Sequence, residues 1–462
     1  MRLLMMSSAR SPENGAELIP ERLRILEALG ETQRADDLRS RFSDTEWGAN
    51  GEQRAAAFAL LDGRARSQCA RIADMPAGDE AWMPARALCY AIAEDYDAAA
   101  LLGEQAAGTD PDGAAWLLSA IEYKREPAGR APSARYGTPF QTAVTLTTGL
   151  PADMDALANV PADIAEVILR NPAAPLQQKR TVLPAAVAGG RATAADIAEL
   201  LKPAEDEDAP PEGSVQAALV AAARAEATAS DKSTAYAAAL ATAERPALFH
   251  LAALALRPAL ADLEPAEDNA DHAALFMRAA LIVGDLELAS KWRTGIPSGE
   301  DADLWQVARL DIASALAGAP PEDLQAAITT FVAASPLAED AERPDGRTAR
   351  TVFETRLTET SRALFLLTGS GRPLPPEARA LLSDLRTAGA GVSDPALMRA
   401  QAANNAEAPG EAALAALSLI AFDPSTQSYI GLADALTQLR GAGMVGVADA
   451  IALEAMQLHK TF

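Results

Sequence analysis

One local pattern recurs along the chain and restricts its fold more than any other feature. An apolar segment ends at a small residue, an alanine follows five positions later, and a large apolar residue comes three positions after that. Four segments carry this spacing: Leu23–Leu38, Ala87–Leu102, Phe276–Trp292 and Ala435–Leu453. The spacing is typical of two helices joined by a tight turn, because a small residue can end the first helix in a left-handed conformation. The alanine then lies where the two backbones approach, and the large residue fills the groove between them.

Short turns place consecutive helices antiparallel, so each segment predicts a helical hairpin. The defining positions, in chain order, are Gly30, Ala35 and Leu38; Ala93, Ala98 and Leu101; Gly284, Ala289 and Trp292; and Gly443, Ala448 and Ile451. About a quarter of the residues are alanine, the best helix former, and aromatic residues make up only 5%. Residues that favour strands are scarce, and Thr142–Thr148 is the nearest approach to a strand. We therefore predict an all-α fold.

Two of the junctions, "AEDYDAAA" and "VGDLELAS", resemble the turn between the two helices of a tetratricopeptide (TPR) repeat. The resemblance covers the junctions only, since the regular period of about 34 residues is absent. It implies an α-solenoid, a TPR-like superhelix of stacked antiparallel hairpins. A concave surface of this kind binds protein or peptide partners.

A weaker resemblance is to the non-catalytic helical ring of soluble lytic transglycosylases, which is also a long alanine-rich superhelix. Those enzymes carry a catalytic Glu-Ser motif and a later Gly-Leu-Met-Gln sequence. The C-terminal segment contains Glu454 without either motif. The resemblance therefore implies at most a relative of the ring that lacks the catalytic domain.

Proline-rich stretches divide the predicted helices into segments. We expect helical hairpins over residues 1–124, a loop or linker over 125–150, and a helical segment over 151–201. An acidic, proline-rich connector follows over 202–213, and a helical-repeat array occupies 214–462.

Charge and motifs exclude several classes of function. The net charge is −24 and the isoelectric point is about 4.6, which oppose binding to nucleic acid or to an anionic membrane surface. No segment approaches 18 uncharged apolar residues, so direct membrane insertion is not expected. The chain lacks a phosphate-binding loop and a nucleophile elbow, and its three histidines are far apart. We expect no enzymatic activity, no cofactor and no metal.

Cys69 and Cys89 are the only cysteines. They are predicted on successive antiparallel helices, at similar distances from a turn centred near Gly78. This places them at similar height, where a disulfide needs a Cα separation of roughly 4.4–6.8 Å. Two readings stay open, a pair of buried free thiols and a disulfide. A disulfide would persist only in an oxidising compartment such as the periplasm.

The compartment follows from the cysteines and from the start of the chain. We predict a periplasmic location, with a cytoplasmic one as the alternative. The sequence "MRLLMMSSARS" has an apolar run too short for the core of a signal peptide. Either the protein is cytoplasmic or this chain lacks the true N-terminus.

The predicted function is a non-enzymatic protein–protein interaction scaffold, expected in a bacterial cell envelope. One alternative is a structural or accessory subunit of an envelope or motility assembly. The other is the module related to lytic transglycosylases described above. Four aromatic residues are candidates for binding a partner, with core packing as their alternative role: Trp47, Trp82, Tyr136 and Trp305.

Overall fold

A computed structural model of the chain describes residues 57, 60, 65–75, 80–108, 110–171, 174–202, 213–224, 228–297, 303–336, 347–388, 395–420 and 428–460. All regular elements in these ranges are helical, and none is a strand. The predicted all-α class is confirmed. The chain divides into two compact units, Met1–Pro211 and Glu212–Phe462. The division falls within the segment 202–213, which the sequence marks as an acidic connector.

The described part of the N-terminal unit contains nine α-helices, and a 3-10 turn at Glu80–Trp82 precedes the second. They are α1 (Ala65–Ala73), α2 (Met83–Ile92), α3 (Tyr96–Ala106), α4 (Pro111–Arg125), α5 (Pro139–Thr148), α6 (Met154–Leu157), α7 (Ala162–Arg170), α8 (Leu176–Ala188) and α9 (Ala194–Leu200).

The described part of the C-terminal unit contains thirteen α-helices and a 3-10 turn at Glu267–Asn269. The helices are α10 (Val215–Ala223), α11 (Ala229–Ala241), α12 (Pro246–Asp262), α13 (Ala270–Ile282), α14 (Leu286–Arg293), α15 (Leu304–Leu316), α16 (Leu324–Ala333), α17 (Arg347–Gly369), α18 (Pro376–Ala388), α19 (Pro395–Asn405), α20 (Pro409–Ser418), α21 (Tyr429–Gly441) and α22 (Val445–Ala455).

Side-chain caps explain where many of these helices begin. At ten helix starts an Asp, Ser or Thr side chain accepts a hydrogen bond from the backbone N–H three residues later: Asp95, Asp110, Thr138, Asp153, Thr193, Ser214, Thr228, Asp285, Asp303 and Asp323. Each bond satisfies a donor that the first helical turn leaves unpaired. At Thr193 the Asp196 carboxylate also accepts from the Thr193 N–H, at 2.7 Å, which completes a capping box.

Four tight junctions in the described part share one backbone geometry. A residue with positive φ ends one helix, and the next helix begins two residues later; the four residues are Glu94, Gly284, Glu407 and Gly443. In each junction the N–H of the following residue donates to the carbonyl five positions back, at 2.8–2.9 Å. This is the Schellman closure of a helix end. The alanine five positions after the left-handed residue has no exposed surface in any of the four: Ala99, Ala289, Ala412 and Ala448.

The predicted register is right at Gly284 and Gly443 and wrong at Ala93. Glu94, with φ of 63°, is the left-handed residue of that junction. The pattern therefore moves by one position, and Leu101 is 57% exposed instead of filling the groove. The predicted pattern requires a small residue at this position, whereas here a glutamate adopts the left-handed conformation. The junction at Glu407 was not predicted for the same reason. The predicted junction at Gly30 lies outside the described residues.

Several helices in each unit pack both on a neighbour and on the next helix but one. In the N-terminal unit α2 contacts α3 and α4, and α3 contacts α4. In the C-terminal unit the same relation links α10 to α12, α11 to α13, α13 to α15 and α19 to α21. Two contacts connect helices that are distant in sequence, since α17 packs on α21 and α15 packs on α22. The end of the chain thus folds back onto the middle of its own unit.

The stretch predicted as a loop or linker over 125–150 is partly helical. Pro139–Thr148 forms α5, and its end at Gly149 is left-handed with φ of 68°. Thr138 caps the helix, and Pro139 fits its first turn because that position needs no N–H donor. Three threonines are buried on this helix, and each hydroxyl donates to a backbone carbonyl: Thr142 to Thr138, Thr145 to Arg135 and Thr148 to Val144.

Candidate functional site

The two cysteines form a disulfide between α1 and α2. Their Cα atoms are 5.4 Å apart, within the range that a disulfide requires. Arg86 of α2 supports the same contact, because its guanidinium donates to the carbonyls of Ile72 and Met75 at the end of α1. The disulfide is partly exposed, and it fixes one hairpin rather than forming part of a cluster of reactive side chains.

The structure buries three of the four aromatic residues that were candidates for partner binding. Trp82, Tyr136 and Trp305 are 2%, 4% and 1% exposed, and Trp47 lies outside the described residues. The Trp305 indole donates to the Thr360 hydroxyl at 2.9 Å. Burial raises the pKa of Tyr136 to about 12. These three side chains pack in the interior, which is the alternative role that the sequence left open.

A different set of apolar side chains is exposed in the described part of the chain. They are Tyr90, Leu101, Leu304, Val352, Met398, Leu414 and Val445, with 40–62% of each side chain exposed. Leu101 and Met398 are the most exposed, and each lies on a helix of a tight hairpin. Helical periodicity alone did not find them, because it assigns apolar residues to the core.

In the described part of the chain, histidines and carboxylates do not cluster into a metal site. His250 lies on α12, and burial lowers its pKa. The His272 ring is 6.0 Å from the Phe276 ring. Within the described ranges no group of three or more His, Cys, Asp or Glu could hold a metal ion. None of the helices in those ranges is long and apolar enough to cross a membrane.

In the described part of the C-terminal unit, a group of charged side chains is buried. Arg278, Arg309, Glu359 and Arg362 are 2–8% exposed. The Glu359 carboxylate accepts from Arg362, and its other oxygen is 3.8 Å from Arg309. Charges are seldom buried without partners, because desolvation costs several kcal/mol for each ion. Hydrogen-bond and ion-pair partners for these charges therefore have to come from the protein itself.

The residues that follow α22, 456–460, are called the C-terminal segment from here on. This segment provides hydrogen-bond acceptors for two of the arginines. Arg278 Nε donates to the Leu458 carbonyl at 2.6 Å, and Arg309 donates to the carbonyls of Met456 and Gln457. Residues Met456–Leu458 are 1–6% exposed, so these contacts are shielded from water. Two arginines from α13 and α15 thus hold the segment that follows α22 through its backbone. The sequence does not indicate this group, because the arginines lie within apolar helices and their acceptors are backbone atoms about 150–180 residues away.

Burial and mutual repulsion shift the protonation equilibria of these groups. Burial, reinforced by the nearby Arg309 charge, lowers the pKa of Arg278 to about 10. Burial also lowers the pKa of Arg309 to about 10, although Glu359 opposes that shift. Burial raises the pKa of Glu359 against the attraction of Arg362 and Arg309. All three shifts have the sign expected when desolvation dominates.

A cleft of about 600 Å³ lies against this group, between α11, α12, α13, α15 and the C-terminal segment. Apolar side chains form part of its lining: Leu240, Ala241, Ala243, Phe249, Ala274 and Leu275. Polar and charged side chains form the rest: Glu244, Asp271, Arg278, Gln306, His459 and Lys460. The volume is in the range of small-molecule sites, about 300–1,000 Å³. This arrangement can bind and orient a ligand by charge and by apolar contact.

Comparison with known proteins finds no relative for this chain: no family model, no curated protein and no solved structure matches it.

Proposed function

We propose that the chain is a non-enzymatic protein–protein interaction scaffold, built as a TPR-like superhelix of antiparallel hairpins and acting in the periplasm of a bacterial cell envelope. The observation that supports the proposal best is the repeated junction, with one left-handed residue, one backbone closure and one buried alanine at four positions. Repeated units of this kind stack side by side and make extended surfaces for partners.

The packing of the helices adds a second line of support. Contacts between a helix and the next but one are expected where hairpins stack in register, and both units contain them. Exposed apolar side chains on the hairpins, above all Leu101 and Met398, are available for a partner. A partner that covers them removes apolar surface from water.

The disulfide supports the proposed periplasmic location. A bond between Cys69 and Cys89 that is partly exposed would be reduced in most cytoplasms and retained in an oxidising environment. Acid trapping of thiols in intact cells, followed by maleimide labelling, measures its state directly. We expect no label on either cysteine, and labelling of both in unstressed cells would contradict the periplasmic assignment.

The scaffold itself is tested with two surface variants of the full chain. A tagged protein is purified from its native cells under non-reducing conditions, and any complex is characterised by size-exclusion chromatography with light scattering. We expect a partner at fixed stoichiometry, and we expect Leu101→Ser or Met398→Ser to lose it while circular dichroism stays unchanged. Ser290→Ala, an exposed substitution on α14, is the matched control. A chain that stays monomeric, or a complex that neither variant affects, would contradict the proposal.

A further inference from the structure

The cleft in the C-terminal unit has opposite charges at the two ends of one helix face. Asp271, Ala274, Leu275 and Arg278 follow one another on α13 at intervals of three, one and three residues, and all four line the cleft. Residues at this spacing share one side of a helix. Seven residues extend about 10 Å along a helix axis. The cleft therefore has a carboxylate residue and an arginine whose backbone positions are about 10 Å apart along α13, with two apolar residues between them.

At the cationic end of the cleft, several contacts hold the Arg278 side chain in place. Arg278 is 2% exposed, its Nε donates to the Leu458 carbonyl, and its guanidinium lies 5.5 Å from the centre of the Phe249 ring. These contacts fix the direction of the side chain. A guanidinium held in this way binds a carboxylate through short, charge-assisted hydrogen bonds. Lys460 adds a second cation to the lining.

The anionic end limits what else the cleft accepts. Asp271 and Glu244 are exposed members of the lining, and their two charges balance those of Arg278 and Lys460. A phosphate or another multiply charged anion would pair with the two cations only and would leave these carboxylates without a partner. A ligand with one cationic and one anionic end would instead satisfy both.

We propose that this cleft binds a short peptide with apolar side chains and free ends, its ammonium group at Asp271 and its terminal carboxylate at Arg278 and Lys460. Three extended residues span about 10 Å, which is similar to the spacing of the Asp271 and Arg278 backbone positions along α13. The peptide's side chains contact Phe249 and Leu275. This binding activity is separate from the proposed scaffold, which uses the exposed hairpin surfaces.

Isothermal titration calorimetry of the full chain with trileucine tests the proposal. N-acetyl-trileucine lacks the ammonium charge, and trileucine amide lacks the carboxylate charge. We expect acetylation to weaken binding about three- to fivefold, the effect of an exposed ion pair. Amidation should weaken binding by about tenfold or more, because the guanidinium is buried. Equal affinity for all three peptides, or no binding of trileucine at millimolar concentration, would overturn the proposal.

Two substitutions assign each peptide end to its partner. Asp271→Asn should weaken binding of trileucine and leave binding of N-acetyl-trileucine unchanged. Lys460→Met should weaken binding of trileucine and leave binding of the amide unchanged. Glu287→Gln removes an exposed carboxylate of α14 outside the cleft and should change nothing. If Asp271→Asn weakens all peptides equally, the ammonium group is not at Asp271 and the proposed orientation is wrong.

A chain that ends at Lys460 tests whether the cleft is reserved for the protein's own terminus. The proposal expects this variant to bind trileucine with the affinity of the full chain. Binding that is seen only after Thr461 and Phe462 are removed would overturn the proposal in favour of an internal occupant. Loss of the scaffold's protein partner in the hairpin variants would not affect any of these titrations, so the two proposals can fail separately.

Discussion

Gly284 adopts a left-handed backbone conformation with φ of 71°, and a Cβ added there would meet no other atom within 4 Å. An alanine at this position therefore adds only the backbone cost of that conformation, about 1–2 kcal/mol. We expect Gly284→Ala to lower the free energy of unfolding of the C-terminal unit by that amount. Urea denaturation followed through tryptophan fluorescence measures the change, since Trp292 is fully buried in the same unit.

The matched control is Gly446→Ala on α22. An added Cβ is equally free of contacts there, but the glycine does not have positive φ. Alanine is favoured over glycine in a helix by about 0.5–1 kcal/mol, so this variant should be more stable than the parent. Equal effects of the two substitutions would contradict the conformational explanation.

The buried Glu359 gives the C-terminal unit a pH dependence of defined sign. Burial raises the pKa of Glu359 above its ordinary value of 4.5, so the folded state keeps this proton to higher pH than the unfolded state does. Stability from this group is present below pH 4.5 and is lost as the pH rises through the pKa of the folded state. We expect Glu359→Gln to remove this decline from the urea midpoints measured between pH 4.5 and neutral pH.

His250 contributes with the opposite sign, so only the difference between variant and parent isolates Glu359. Burial lowers the pKa of His250 below 6.5, and its contribution is therefore lost as the pH falls. The exposed Glu322→Gln serves as the control and should leave the pH slope unchanged. An unaltered slope in Glu359→Gln would show that the carboxylate is not the titrating group.

At the scale of the helices, the disulfide makes a second stability prediction. Cys69 and Cys89 are separated by 20 residues, and closing a loop of about that length stabilises by roughly 3 kcal/mol in the chain-entropy model. We expect reductant to lower the thermal midpoint of the N-terminal unit, and we expect the double variant Cys69→Ser with Cys89→Ser to match the reduced parent. The unfolding of the C-terminal unit, which contains no cysteine, is the internal control. A midpoint that does not respond to reductant would contradict the bond.

The hairpins show how far sequence predicts elements and where it stops. Composition and capping residues such as Thr193 predict the helices, because propensity and local hydrogen bonds act within a few residues. The junctions at Gly284 and Gly443 were predictable because glycine has little cost in the left-handed conformation. Glu94 and Glu407 were not predictable, because a glutamate seldom adopts positive φ and nothing in its side chain indicates that conformation.

At the scale of the whole molecule, the candidate site was hidden from the sequence. The cleft needs Asp271 and Arg278 from one helix and Lys460 from the end of the chain. Spacing along α13 is visible in the sequence, but the meeting of residues almost 200 positions apart depends on the full packing of the unit. The buried aromatics are a similar case, because a tryptophan can serve either a core or a surface and only the fold decides.

The C-terminal segment provides one of the contacts between the end of the chain and the middle of its unit. A chain that stops at Ala455 would remove the carbonyl acceptors of Arg278 and Arg309 and leave two buried guanidinium groups without them. A buried group that loses its hydrogen-bond partner costs about 1–3 kcal/mol, and more when it is charged, so we expect this truncation to unfold the C-terminal unit or lower its midpoint by many degrees. A chain that stops at Lys460 keeps all three carbonyls and should unfold like the parent. Thermal denaturation of the two truncations tests this prediction. Equal midpoints would mean that the contacts of the two arginines with the C-terminal segment do not stabilise the unit.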